Sequence, residues 1–212
     1  RLNAAQVAIS NTLADAEIQS LVAAYGYPAA RMNEGKSLYE TALRAVNAQT
    51  AATGAQRQAT AQMEGATKSA QATDQALAKV ARAVFVDQPA RLTALHLSGS
   101  MPRAIGPFLA TGYALFDNAL AVAEIKAALG NYGYDQARLQ AERTKIAALD
   151  VANQAQEAAK GAAQQATQEQ EATMTALDTW LVQYIKIARV ALAGKKQLLE
   201  KLGVPARTRK PS

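Results

Sequence analysis

Residues 11–27, NTLADAEIQSLVAAYGY, return 107 positions later as residues 118–134, NALAVAEIKAALGNYGY. The correspondence continues without a gap between residues 11–85 and 118–192, where 25 of the 75 aligned positions are identical. This pattern predicts an internal duplication, so the elements expected in one repeat are expected again in the other. The repeated residues alone name no family with a function.

The composition predicts an almost entirely α-helical chain. Of the 212 residues, 51 are alanine, which is the best helix former. Alanine makes up about half of the hydrophobic residues, so large apolar side chains are much scarcer than the hydrophobic fraction of 50% indicates. Because buried apolar area is the main driving force of folding, we expect a thin core of closely packed helices.

Each repeat reads as a short helix, a Tyr-Gly-Tyr turn, a long helix and a second short helix. In the first repeat we expect an unbroken helix over about residues 3–23 and a long helix over about 28–84, with Pro28 in its first turn. A short helix capped by Asp87, begun by Pro89 and ending near Gly99 follows. Its counterpart in the second repeat is expected over 195–202.

The middle of each long helix has two interpretations. Residues 47–76 contain one large apolar residue and residues 153–173 contain none, so these stretches favour either a hairpin or a continuous helix. A break would fall near Gly54 and Gly161. We favour continuity, because one glycine inside a helix costs only about 1 kcal/mol and no second turn signal accompanies it.

The predicted fold class is an all-α, elongated antiparallel helical bundle, similar to a four-helix bundle or coiled coil. It has two very long helices, short helices at each end and an internal pseudo-twofold axis. Gly54 and Gly161 are expected where the long helices cross, since small residues there let backbones approach closely. Leucine at either position is then expected to destabilise the fold by roughly 1–3 kcal/mol through overpacking.

The expected organisation has four segments. Residues 1–97 are the first repeat, 98–108 a Gly/Pro connector, 109–203 the second repeat and 204–212 a disordered basic tail, with the two repeats packed as one domain. Residues 195–212 carry six Lys or Arg and one Glu, so most of the net charge of +6 lies there. The remaining chain is close to neutral and is not expected to bind nucleic acid specifically.

Several chemistries are excluded by residue content. The chain has no cysteine, which removes thiolate catalysis and cysteine-bound metals. His96 is the one histidine, too few for a histidine metal site or a di-iron bundle, and we interpret it as a partly buried helical residue. No phosphate-binding or dinucleotide-binding glycine motif occurs. We therefore expect no catalytic residues, no cofactor and no metal.

Polar residues that recur in both repeats are the candidates for a specific role. Glu17 lies before the first turn and Arg31 just after it, so an ion pair could fasten the hairpin, with Glu124 and Arg138 as the second pair. In the alternative interpretation, each end of the bundle gathers three cations and one acid and receives an anion or an acidic partner. The candidate contacts are Arg31, Lys79, Arg82, Arg138, Lys186 and Arg189.

The four turn tyrosines also recur. Tyr25, Tyr27, Tyr132 and Tyr134 are expected to pack over their turns, because tyrosine buries its ring and keeps its hydroxyl paired or hydrated. Stacking on a nucleobase is the alternative for these rings. Together with Glu17, Glu124, Gly54 and Gly161 they form the candidate structural residues.

The expected function is a non-enzymatic structural or protein-interaction module with an unidentified protein partner. The alternative is a small-ligand, anion or lipid binder that uses cationic helix ends, or a membrane-active long-helix protein. No stretch reaches the roughly 20 apolar residues that a membrane span requires. A cytoplasmic location is slightly favoured, with an exported protein whose signal peptide has been removed as the alternative.

Overall fold

A computed structural model describes residues 1–205, in which eight α-helices occur and no β-strand. The helices are α1 (Leu2–Ala14), α2 (Ala16–Ala23), α3 (Ala29–Val84), α4 (Pro89–Ala94), α5 (Ile105–Ala121), α6 (Ala123–Gly130), α7 (Gln136–Ala191) and α8 (Lys196–Lys201). The all-α prediction is confirmed, and the two long helices, α3 and α7, pack together. The predicted basic tail lies outside the described residues from position 206 onward.

Both long helices are continuous. Each has 56 residues and passes through its central glycine without a break, so the hairpin interpretation is wrong. Alanine, glutamine and threonine in the middle of each helix keep the backbone helical even where large apolar residues are scarce.

The role predicted for Gly54 and Gly161 is also wrong. A Cβ atom added to either glycine would meet no neighbouring atom within 4 Å, so neither lies at a close contact between backbones. Leucine there is not expected to overpack anything. Each of these glycines borders open space, and no tight crossing of two helix backbones is formed there.

The helix boundaries repeat at the same interval as the sequence. The bounds of α6, α7 and α8 are those of α2, α3 and α4 shifted by 107 positions, and α5 ends 107 positions after α1. Sequence differences between the repeats therefore leave the helix ends unchanged.

The predicted unbroken first helix is interrupted in both repeats. Asp15 adopts an extended conformation between α1 and α2, and its side chain accepts hydrogen bonds from the N–H groups of Glu17 and Ile18 at 3.0 and 3.2 Å. This is an N-cap, in which a carboxylate satisfies N–H groups that the helix cannot. Val122 holds the corresponding break without a capping side chain, and the chain bends by 90° there.

The connector between the repeats is placed earlier than predicted. α4 begins after Gln88 rather than Asp87 and ends at Ala94, so residues 95–104 form the non-helical link. Gly106 and Pro107 lie in the first turn of α5, where proline's missing N–H would have no helical partner in any case. A Gly-Pro pair here begins a helix instead of preventing one.

The chain divides into two compact units, and neither unit coincides with a repeat. Within residues 1–205, unit 1 comprises residues 1–53 and 162–205, and unit 2 comprises Gly54–Gly161. Each unit therefore combines the end of one long helix with the opposite end of the other. The short helices of unit 1 are α1, α2 and α8, and those of unit 2 are α4, α5 and α6.

Each unit has its own apolar core. The unit 1 core includes Ile18, Tyr27, Met32, Leu177, Tyr184 and Leu192. The unit 2 core includes Leu77, Phe85, Leu115, Phe116, Ile125, Leu139 and Ile146. Val204, placed in the disordered tail by sequence, is buried in the unit 1 core, so the folded part extends at least that far.

His96 is neither helical nor buried. It follows α4 with a φ of 56°, in the left-handed region, and its side chain is exposed. The corresponding residue of the second repeat, Gly203, has a φ of 74° at the end of α8. Glycine adopts this conformation without steric cost, whereas a residue with a Cβ does not.

We expect His96→Gly to raise the free energy of unfolding by about 1 kcal/mol, because it removes the left-handed penalty. Urea denaturation of the full chain measures this change. The matched substitution Gly203→Ala is expected to destabilise by a similar amount. A destabilised His96→Gly variant would show that the imidazole makes a compensating interaction.

Gly54→Ala and Gly161→Ala are each expected to stabilise the protein by about 0.5–1 kcal/mol, since alanine restricts the unfolded chain and meets open space in the helix. Gly35→Ala is the control, because a Cβ at position 35 would overlap the Trp180 ring. Thermal unfolding should show a higher melting temperature than the wild type for Gly54→Ala and Gly161→Ala and a lower one for Gly35→Ala. Loss of stability at position 54 or 161 would contradict the open environment.

Candidate functional site

The two Tyr-Gly-Tyr turns are held by the same set of contacts. The central glycines, Gly26 and Gly133, have φ values of 85° and 82°. In unit 1, Arg31 Nη1 donates to the Gly26 carbonyl at 3.2 Å, and its guanidinium lies 4.3 Å from the centre of the Tyr27 ring. The ring itself is buried. The arginine thus joins the first turn of α3 to the turn before it.

The unit 2 turn repeats this arrangement. Arg138 Nη1 donates to the Gly133 carbonyl at 3.1 Å, and its guanidinium lies 4.0 Å from the centre of the buried Tyr134 ring. Asp135 additionally accepts from the Arg138 N–H at 2.8 Å, which caps α7. Both arginines therefore contact their own turn and ring, and they do not pair with Glu17 or Glu124 as the ion-pair hypothesis required.

The recurring glutamates pair with other cations. Glu17 accepts from Lys195, which lies just before α8, and Glu124 accepts from Arg91 of α4 at 2.8 Å. Within each unit, these pairs link the second helix of one repeat to the last short helix of the other repeat or to the residue just before it. Because both pairs are exposed, each is expected to add little stability.

The remaining candidate cations do not converge. Within the described residues, Lys79, Lys186 and Arg189 are exposed and make no ion pair or side-chain hydrogen bond. Arg82 donates to the carbonyls of Leu97 and Gly99 at 3.5 and 3.4 Å. The expected gathering of three cations around one acid at each end is therefore not formed.

The second tyrosine pair faces solvent. Tyr25 is 51% exposed and Tyr132 is 63% exposed, so neither packs over its turn as expected. Tyr132 borders an apolar cleft of about 290 Å³ whose other walls are Val80, Ala83 and Val84 near the end of α3. We name these four residues the Tyr132 cleft.

The corresponding residues of unit 1 have the same exposure. Ile187 and Ala191 are half-buried like Val80 and Val84, and Val190 is exposed like Ala83. Val190 is 55% exposed and carries a larger apolar side chain than its counterpart. We name Tyr25, Ile187, Val190 and Ala191 the Tyr25 patch.

Unit 2 also contains a group of buried polar residues, which a search for residues identical in both repeats could not find. Thr73, Asp74 and Glu142 are buried, and Lys145 donates to Thr73 Oγ1 at 3.1 Å. Arg138 Nε donates to Glu142 Oε1 at 2.9 Å. Within the described structure, neither Asp74 oxygen has a hydrogen-bond partner. Burial raises the pKa of Asp74 to about 6, against a smaller opposing effect of the Arg82 charge.

Unit 1 has apolar residues at the corresponding positions. Thr73, Asp74, Glu142 and Lys145 correspond to Trp180, Leu181, Gly35 and Leu38, respectively. Gly35 is required there, because any Cβ would overlap the Trp180 ring. The ring stacks on Tyr184 with centroids 5.3 Å apart.

The signal for this difference was present in the sequence, at aligned positions where one repeat is apolar and the other is polar. Residues that are identical in both repeats indicate what both units need in order to fold. Aligned positions that are apolar in one repeat and polar in the other indicate where the interiors of the two units differ. The polar group of unit 2 and the aromatic group of unit 1 belong to this second class.

Comparisons with known proteins identify no family and no function for this chain. No protein-family model matches the chain, and no curated protein or solved structure matches it at a significant level. Over residues 1–205, no group of three or more His, Asp or Glu side chains is arranged to hold a metal ion. In the same range no single helix is long and apolar enough to cross a membrane, whereas the bent pair α5–α6 meets that test when taken together.

Asp74→Leu is expected to stabilise the protein by about 2–3 kcal/mol at pH 7, because a buried carboxylate without partners is replaced by the residue of position 181. The native pKa lies above the unfolded value, so the wild type retains its proton longer when folded and loses stability as pH rises from about 4 to 6. The advantage of the variant should therefore grow across this window.

Urea denaturation at pH 4, 5, 6 and 7 measures the difference between variant and wild type. Asp74→Asn, which keeps the shape without the charge, should abolish the same part of the pH dependence. Leu181→Asp places the carboxylate in unit 1 as a matched control. A constant difference between Asp74→Leu and wild type across these pH values would contradict the burial effect.

Proposed function

We propose that this protein is a non-enzymatic protein-interaction module that binds partner side chains at two corresponding surfaces, the Tyr132 cleft and the Tyr25 patch. The observation that supports this proposal is the exposed tyrosine in each unit, together with apolar residues of matching exposure at the end of a long helix. The neighbouring tyrosine of each turn is buried, so the exposed ring is not needed to fill the core.

The chemistry of these surfaces suits protein binding. Tyrosine combines apolar contact area with a polar hydroxyl and loses little conformational freedom when bound, and it is enriched among the residues that dominate interface energetics. Single exposed apolar residues are ordinary on protein surfaces. Apolar residues of matching exposure at corresponding positions of both units support a shared role.

The repeated helix boundaries support an internal duplication as part of this proposal. Two copies of one ancestral unit would each retain the same binding surface, and the identities between the repeats include the turn tyrosines. The buried polar residues of unit 2 lie at positions that differ between the repeats. They are therefore assigned to the interior of unit 2 alone and not to the shared function.

Site-directed photocrosslinking tests the proposal directly. Replacing Tyr25 or Tyr132 with p-benzoyl-phenylalanine in cells that naturally express the protein should yield discrete adducts, because the photoreactive ring occupies the proposed contact. Mass spectrometry of the adducts identifies the partner. The two positions should capture the same protein or members of one class.

Val151 provides the matched control. It is 67% exposed, comparable to the two tyrosines, and lies elsewhere on α7. Placing the photoreactive residue there should give no discrete adduct. Equal adducts from control and tyrosine positions, or none from either tyrosine, would contradict the proposal.

A further inference from the structure

We infer that each surface receives the apolar face of an acidic amphipathic helix, so that one chain holds two equivalent sites for such a partner. This inference rests on the proposed function and adds the chemistry of the partner and the number of sites.

The walls of the Tyr132 cleft favour a row of side chains over an enclosed small molecule. Val80, Ala83 and Val84 stand at i, i+3 and i+4 on one helix, with the Tyr132 ring as the facing wall. The volume of about 290 Å³ is at the lower limit of pockets that enclose drug-sized ligands, which span roughly 300–1,000 Å³. Amphipathic helices insert anchors at i, i+3, i+4 and i+7 into such helix-lined clefts.

Each surface has an exposed lysine beside its apolar row. Lys79 lies four residues before Ala83, and Lys186 lies four residues before Val190, so each lysine stands beside the apolar row on its helix. Both are exposed, and neither forms an ion pair within the described residues. Asp87, the acid nearest this row in sequence, is replaced by Gly194 in the second repeat. A positive charge beside the apolar row is the property that recurs in both surfaces.

The recurring arginines are less available than these lysines. Arg82 and Arg189 lie in the last turns of α3 and α7, where a cation stabilises the negative end of the helix dipole. Arg82 also donates to two carbonyls of its own unit. Lys79 and Lys186 lie before the last turn, so we assign them to the partner's carboxylates.

Selection from a displayed library of random 16-residue peptides tests the partner chemistry. The full chain is the bait, and the Tyr25→Ala/Tyr132→Ala double variant removes peptides that bind elsewhere. We expect enriched sequences with large apolar residues at helical spacing and Asp or Glu between them. A synthetic peptide of this kind should bind with a stoichiometry of two per chain in calorimetry.

Substitutions then locate the contact. The tyrosine double variant should weaken peptide binding by about tenfold or more, the scale of losing a central aromatic contact. Lys79→Glu/Lys186→Glu should weaken it roughly threefold at low salt and less at high salt, because salt screens exposed charges. The control Val151→Glu should bind as the wild type does, and circular dichroism should show all variants helical.

Several results would overturn the inference. One is enrichment of basic or non-helical peptides, and another is no enrichment over the double variant. A stoichiometry of one peptide per chain would also contradict the inference, as would acidic peptides whose binding is unchanged by the tyrosine and lysine substitutions. Co-sedimentation with phosphatidylserine vesicles that depends on Lys79 and Lys186, without peptide binding, would assign the surfaces to anionic lipid instead. Photocrosslinks at both tyrosines would still support the proposed function if only the peptide result failed.

Discussion

The contact between each turn arginine and its Tyr-Gly-Tyr turn is the interaction on which each unit depends. Arg31 and Arg138 lie over the buried tyrosine ring and donate to the glycine carbonyl of the same turn. A left-handed glycine is needed between the tyrosines to reverse the chain. These contacts hold the second tyrosine in the core and leave the first exposed, so the turn that builds the hairpin also presents Tyr25 or Tyr132.

Differences between the units show how one backbone plan accepts two kinds of interior. Unit 1 fills the space beside Gly35 with Trp180, whereas unit 2 has Glu142 and Thr73 at the corresponding positions. Hydrogen bonds to Arg138 and Lys145 satisfy part of this polar group, and Asp74 is left without partners. Burial disfavours the charged form of such a carboxyl group, so its pKa rises and stability is lost as the pH rises above the unfolded pKa. Unit 2 therefore contains a buried carboxyl group whose pKa is raised to about 6.

Much of the fold could be predicted from sequence because helix formation is local. Alanine content and the 107-residue interval predict long helices that continue through Gly54 and Gly161. The breaks at Asp15 and Val122 were missed because their flanks are good helix formers, and only Asp15 offers a capping carboxylate as a signal in the sequence. The site was harder to predict. Whether Tyr25 or Tyr27 is buried depends on which ring enters the core, where Tyr27 packs against Trp180 and Tyr184. Contacts such as these, and that of Gly35 with Trp180, require knowledge of which helix segments pack together.

The central claim is that the exposed tyrosine of each turn meets a partner while the buried one does not. Fluorine NMR of the protein labelled with 3-fluorotyrosine measures all four turn tyrosines at once, with assignments from single Tyr→Phe variants. The sample is titrated with the protein captured by crosslinking at position 132. The account predicts shifts for Tyr25 and Tyr132 and unchanged resonances for Tyr27 and Tyr134. Shifts confined to the buried pair, or no shift at either exposed tyrosine, would contradict it.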